Sequence, residues 1–275
     1  MSDTYIFDAA SARKRIFSIA VDDFSEAIRM WSLIFYLGFD DIRQRYVRTM
    51  LGPLWLTIGT GIWIGVMSFV SAALFGNSIK QTLPFVSSGI LIWNFIATTM
   101  NESCNLFVGF APIIQSIRLP ISVHILRFLV RNLIIFGHNL VILLLIFILC
   151  RVNVNFNTLL AIPGLFLVCI NAIWVSTAIG FINTRYRDIQ QIIATSMTIL
   201  PFVTPIFWEK TFLKKHHWIA DINPFYHYVE IVRGPLLGER PALLSWLVVL
   251  SMTIIGILVT TSIFSKYKHR LIFWL

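Results

Sequence analysis

The sequence predicts an all-α membrane protein with six transmembrane helices, an N-terminal amphipathic interface helix, and short re-entrant or gate helices before the last span. Three observations carry this prediction. Of the 275 residues, 57% are hydrophobic and only 13% charged, with a mean hydropathy of +0.79, whereas soluble domains run near 25% charged. Six stretches hold about 20 mostly apolar residues, the length that crosses a hydrocarbon core of about 30 Å at 1.5 Å per residue. Basic residues collect on alternate connections between those stretches. This composition excludes a soluble enzyme, a disordered chain and a collagen-like fibre, and leaves one membrane domain over residues 1–275.

The first 23 residues are mixed and charged, without the continuous apolar core of a signal peptide. Residues 24–48 form the interface segment. Phe24, Ile28, Trp31, Phe35, Phe39, Ile42 and Tyr46 follow steps of three and four, which places them on one helical face. Gly38 weakens that helix and marks a candidate bend. Aromatic anchors with flanking arginines suit a helix lying in the cytoplasmic interface; the alternative is a helix packed on a partner's surface.

The six spans follow within 54–264. They are 54–76, 83–108, 133–150 (or from near His124), 158–182, 189–208 (interrupted by Pro201 and Pro205), and 242–264. Gly61 and Gly65 on the first span form a small-xxx-small stripe, where another helix can approach from the same chain or another subunit. With three very short connections, most neighbouring spans are antiparallel hairpins. Lysines and arginines number fifteen on the N-terminal segment, the second and fourth connections and the C-terminal tail, against seven on the other side. Both termini are therefore expected in the cytoplasm. The formal charge of +9 is a topology signal and not a nucleic-acid footprint. Cys104, Cys150 and Cys169 form no CxxC pair and are expected as free buried thiols.

Two connections are more than linkers. The cytoplasmic segment GFAPIIQSIRLPISVH (109–124) has Pro112 and Pro120 bracketing one or two helical turns, a stiff element suited either to docking a partner or to joining two spans. The 209–241 loop is long for a structureless connection. Within it, 222–238 reads as a short helix started by Asn223-Pro224 and broken by Gly234-Pro235, lying on the outer leaflet or dipping into it. His216 and His217 lack a third ligand at metal-binding spacing, and no metal site is expected.

Catalytic motifs are absent. There is no GxxxxGK followed by Ser or Thr, no GxSxG and no HExxH, so this chain cannot itself be a P-loop ATPase. Asp22-Asp23 and Asp40-Asp41 are paired acids of the interface segment, not a sugar-transferase motif. Glu102 is the one acid within a span; it is either functional or a hydrated charge paired with Arg127 or Arg131. His138, Asn139 and Asn171 are expected to make interhelical hydrogen bonds. Deep aromatics such as Trp63, Phe69, Trp93, Trp174, Phe202 and Phe207 either pack against lipid and core or line a path for sugar rings.

Four stretches resemble the permease subunits of O-antigen polysaccharide ABC transporters, the Wzm type of the ABC-2 family. They are YVRTMLGPLW (46–55), IRLP (117–120), RNLIIFGHN (131–139), and NPFYHY (223–228) with RGPLLG (233–238). The likeness runs from Tyr36 to the tail. It implies a bacterial inner-membrane homodimer with two copies of a nucleotide-binding ATPase subunit, with ATP and Mg held on that partner and no cofactor on this chain. The implied activity is export of undecaprenyl-diphosphate-linked O-antigen polysaccharide from cytoplasm to periplasm. Capsular polysaccharide or teichoic acid is the alternative cargo, and an ATP-independent secondary transporter or flippase the alternative class. By the same likeness Ile114, Gln115, Ser116, Ile117, Arg118, Leu119 and Pro120, within 114–122, couple to the ATPase. The first and fifth spans line the channel at the dimer interface. Asn223, Pro224, Tyr226, His227, Tyr228 and Arg233 belong to a periplasmic gate. Arg45 and Arg48 are candidates for the lipid diphosphate, since guanidinium groups match phosphate oxygens; topology alone also explains them.

Overall fold

A computed structural model describes residues 9–47, 52 and 54–275. Among these residues every regular element is helical. The chain runs α1 (Ala9–Arg29), α2 (Trp31–Arg45), α3 (Leu54–Phe75), α4 (Ile79–Ser103), α5 (Ala111–Ser116), α6 (Ile121–Cys150), α7 (Ala161–Arg185), α8 (Ile189–Val203), α9 (Trp218–Ile222), α10 (Pro224–Leu236) and α11 (Leu243–Trp274). Five helical stretches are long and apolar enough to cross a membrane, and α8 is a shorter apolar helix. The all-α membrane fold read from the hydropathy is the fold observed.

The interface segment is two helices, not one, with the break at Met30. Its aromatic stripe faces outward: Trp31, Phe35 and Phe39 are more than half exposed. The neighbouring face, about a quarter-turn away, is buried with Ala27, Ile34 and Gly38, and Ile42 of the expected stripe is buried with it. Gly38 is no bend. A Cβ there would lie 2.9 Å from Val130 Cγ1 and 3.2 Å from the Arg127 carbonyl, so the missing side chain lets α2 lie directly on α6.

Helices α6 and α11 exceed their expected spans. The 30 residues of α6 begin at Ile121, three residues before the earlier of the two starts read from the sequence, near His124, and not at Leu133; the 32 residues of α11 continue past Phe264 to Trp274. Hydropathy rejects the first turns of α6 because they carry His124, Arg127 and Arg131. The fold accepts those turns because α1, α2 and α4 cover them and supply acids. At the end of α11, Leu271 is fully buried beside Leu106, Phe107 and Ile121.

The fifth crossing is also corrected. Helix α8 stops at Val203, short of Trp208. Thr204 is extended, at ψ 135°, as expected of a residue before proline. Irregular backbone inside a bilayer must be covered by protein and its polar groups satisfied. Thr204 and Ile206 are fully buried. Arg233 donates to the Pro205 carbonyl at 2.5 Å, Ser71 Oγ to the Phe207 carbonyl, and Trp208 Nε1 to the Phe202 carbonyl at 3.2 Å.

Helix α10 is re-entrant, packed among α4, α7 and α11 and buried on most of its sides. Gly234-Pro235 does not break it; the helix runs to Leu236. Pro235 has no N–H to give the Ile231 carbonyl one turn back. That carbonyl is instead approached by α7, where a Cβ on Gly164 would fall 2.4 Å from it. The stripe on α3 divides: Gly61 approaches Ile142 of α6, while Gly65 has nothing within 4 Å.

Candidate functional site

At the end of the bundle that carries α5, the N-terminal helices and the tail of α11, the candidate coupling segment is a short structured turn. A 3-10 turn, Val108–Phe110, leads into α5, where Pro112 sits in the first turn. The helix ends at Ser116, and Ile117 is extended. Of the residues assigned to coupling, Ile114 to Ser116 are therefore helical, while Ile117 is extended and the Leu119 N–H donates to its carbonyl at 3.0 Å, a tight turn at Arg118 leading to Pro120, the N-cap of α6. Gln115, Ser116, Ile117 and Arg118 are exposed. Ile114 turns inward against the cluster built on Leu106, Phe107 and Ile121.

The inner side of this turn is wired into the bundle by charge. Phe110 lies under the Arg127 guanidinium, 4.2 Å from ring centroid to Cζ, and is stacked with His124 at 5.7 Å. Arg127 grips Asp41 of α2 with Nε at 2.8 Å and with Nη2. Arg131 donates to Glu102 of α4 at 2.6 Å and lies 4.0 Å from Asp41. Arg45 reaches the other oxygen of Glu102 at 3.1 Å. Glu102 thus pairs with Arg131, one of the two partners expected for it, and also with Arg45. Two carboxylates share three arginines, so neither charge depends on one partner.

A second tie was not anticipated. Asp23 of α1 is buried and accepts the backbone N–H groups of Ile121 at 3.3 Å and Ser122 at 2.8 Å. It caps α6 from another helix, where Pro120 offers no side-chain oxygen. Its Oδ1 also lies 2.6 Å from Lys268 Nζ of α11. The sequence holds a trace of this. Asp23, Ala27, Ile34, Gly38 and Asp41 fall on one narrow face of the N-terminal helices, about a quarter-turn from the aromatic one. Asn183 completes this end, donating to the Cys104 carbonyl at 2.7 Å and accepting from Gln190 N at 3.0 Å.

The gate candidates come together on α10. Asn223 caps it by accepting from Phe225 N at 3.0 Å and donates to Thr204 at 2.9 Å; Pro224 occupies the first turn. His227 bridges Ser245 and the Asp221 carbonyl, each at 2.9 Å. Tyr226 packs on His227 and lies under Lys210. Arg233 pairs with Glu230 at 2.7 Å and lies over Phe85. Tyr228 donates to Asn171 Oδ1 at 2.8 Å, which also accepts Trp174 Nε1 at 2.7 Å, while Asn171 Nδ2 reaches Thr253 at 2.7 Å. Asn171 makes the interhelical bonds expected of it. His138 bonds Ile134 of its own helix, and Asn139 Oδ1 has no hydrogen-bond partner.

The channel candidates divide by exposure. Trp63, Phe69 and Phe202 are exposed on α3 and α8, and Phe207 is half-buried near Phe202. Trp93 is buried against Phe225, and Trp174 is held by Asn171 inside the protomer. Arg45 is half exposed beside Glu102. Arg48 lies outside the described residues.

Two comparisons place this arrangement. The chain is 23% identical over 252 residues to an O-antigen export system permease protein RfbA of Klebsiella pneumoniae, covering 88% of this chain and 94% of that relative. A second RfbA permease of Klebsiella pneumoniae is 20% identical over 247 residues, with the same coverage. Residues 25–237, from within α1 to just beyond α10, match the family model of the ABC-2 type transporter. The chain therefore belongs to the ABC-2 type transporter family, as a membrane-embedded permease subunit.

Proposed function

We propose that this chain is the membrane half of an ATP-driven exporter that moves undecaprenyl-diphosphate-linked O-antigen polysaccharide from the cytoplasm to the periplasm. The observation that carries the reading is the turn around α5. Its outer residues are exposed and its inner residue Phe110 is stacked under Arg127, which suits a part pushed by a separate ATPase. Two ATPase copies, a homodimer of this chain and an inner-membrane location with both termini cytoplasmic belong to the same proposal. The exposed apolar faces of α3 and α8, with Ile62, Phe69, Ile199 and Phe202, suit a channel formed between two copies. The likeness to the O-antigen permeases supports the cargo. The chain contributes no catalytic residue in this scheme.

Arg45 is the described candidate for the lipid diphosphate. Glu102 keeps Arg131 as a partner, so Arg45 can leave it for a phosphate oxygen without stranding a carboxylate. Mild-detergent purification should recover a nucleotide-binding subunit and a lipid-linked glycan. Transport by this chain alone under a proton gradient would overturn the proposal, and a bound capsular or teichoic polymer would change its cargo. Arg45→Gln with Arg48→Gln should reduce export while leaving assembly intact; unchanged export would remove the diphosphate role.

A further inference from the structure

We infer that a cleft between the ends of α7 and α11 is a binding site for the phosphate of an anionic bilayer phospholipid. The cleft has a volume of about 470 Å³. Arg185 and Arg270 stand at it with Tyr186, Tyr267 and Trp274, and its apolar wall comes from Phe181, Ile182 and Ile263. It is separate from the exposed faces of α3 and α8, it adjoins α5 through the apolar cluster that Phe181, Tyr267 and Trp274 share with Ile114, and the end of α11 falls beyond the 25–237 family match. The inference does not depend on the identity of the exported polymer.

The charge pattern is the first argument. Arg45, Arg127 and Arg131 at the same end all have carboxylate partners. Among the described residues, neither Arg185 nor Arg270 has an acid within ion-pair distance, as is also true of exposed Arg43, Arg118 and Arg187; these two differ in standing together at one cleft. Arg185 is instead positioned by aromatic rings, with Cζ 5.9 Å from the Tyr186 centroid and 5.7 Å from that of Trp274. A guanidinium held over ring faces keeps its edge N–H groups free for phosphate oxygens. Trp274 is itself packed against Tyr267 at 5.3 Å.

The position is the second argument. Both helices are spans, and the cleft lies at their basic ends, where phospholipid head groups sit. Tyrosine and tryptophan are favoured at that depth, and basic pockets between spans hold anionic head groups. Ile182 is 40% exposed on the lipid side while Phe181 is buried behind it. Acyl chains can follow Ile182 and Ile263 from a phosphate held by the two arginines. Free phosphate would use the arginines but not this apolar wall. A lipid in the cleft would tie the end of α11 to α7 and thereby steady Lys268, which reaches Asp23 from the same part of α11.

The test is native mass spectrometry of the full chain, delipidated in detergent and titrated with phosphatidylglycerol or phosphatidylcholine. Two arginines near an anionic head group correspond to a preference of about 30-fold for phosphatidylglycerol. Arg185→Gln with Arg270→Gln should erase that preference, while Arg43→Gln, an exposed arginine away from the cleft, should keep it. Equal uptake of the two lipids by the unaltered chain would overturn the inference without any variant. So would displacement of phosphatidylglycerol by millimolar inorganic phosphate, which marks a free-anion site, or by equimolar undecaprenyl phosphate, which marks a substrate site. A double variant that melts like the parent and retains the preference would also overturn it.

Discussion

The two ends of the bundle both bury polar groups, but they connect them differently. At the end carrying α5, two carboxylates are shared among three arginines, and Arg131 touches both acids. At the opposite end, among the described residues, Arg233 alone answers the Pro205 carbonyl, Asn171 joins α7 to both α10 and α11, and Gly164 meets the Ile231 carbonyl with no room for a methyl group. Shared ion pairs can exchange partners as helices shift. Single hydrogen bonds and close backbone contacts cannot, because a buried group that loses its one partner bears its full desolvation penalty. The contrast suits one end that accepts motion and another that anchors it.

The largest test of this contrast is Arg233→Ala. It strands Glu230 and the Pro205 carbonyl in a buried setting and should cost about 3–5 kcal/mol, seen as a large drop in thermal unfolding temperature in detergent. A small drop would show that the anchored end is as adaptable as the other. Asp23→Ala comes next. It removes a buried charged acceptor from two N–H groups and from Lys268, so a loss of about 2–3 kcal/mol is expected. Hydrogen exchange should rise at the start of α6; exchange confined to α1 would mean that Asp23 anchors only its own helix. The smallest effect on stability is expected from Phe110→Ala, about 2 kcal/mol for a half-buried ring against the buried Arg127 guanidinium. Export should nevertheless fall while ATP hydrolysis by the partner persists. Export and hydrolysis falling together would place Phe110 in assembly and not in transmission.

How far these features could be read from the chain depends on how local their causes are. The start of α10 was legible because Asn223 and Pro224 act on the next turn. The end of α10 was not. Pro235 looks like a breaker until Gly164, from a distant helix, is seen to occupy the place its missing N–H leaves. Spans were legible where apolar residues are continuous and open to two starts at α6, where Arg127 and Arg131 depress hydropathy and Asp41 and Glu102, from other helices, restore the balance. The aromatic stripe of 24–46 was found, yet the face that fixes α2 is Ile34, Gly38 and Ile42, where the glycine, which hydrophobicity underweights, makes the close approach to α6. The arginines at the coupling end stood out in the sequence. Asp23 did not, because its only trace is a place on the narrow buried face, and capping a helix from another helix leaves no pattern at the capped end.

The length of α6 has a mechanical consequence. Thirty residues make a rod of about 45 Å, whereas the hydrocarbon core is about 30 Å thick. One end is therefore a handle outside the apolar layer, gripped by Asp23, by Asp41 and, through Arg127, by Phe110. Over about 45 Å a tilt of only about 5° displaces the far end by about 4 Å, about three-quarters of a helical pitch. A rod of this kind acts as a lever, converting a rotation too small to break any of its ion pairs into a step wide enough to change which side chains meet on the other side of the membrane.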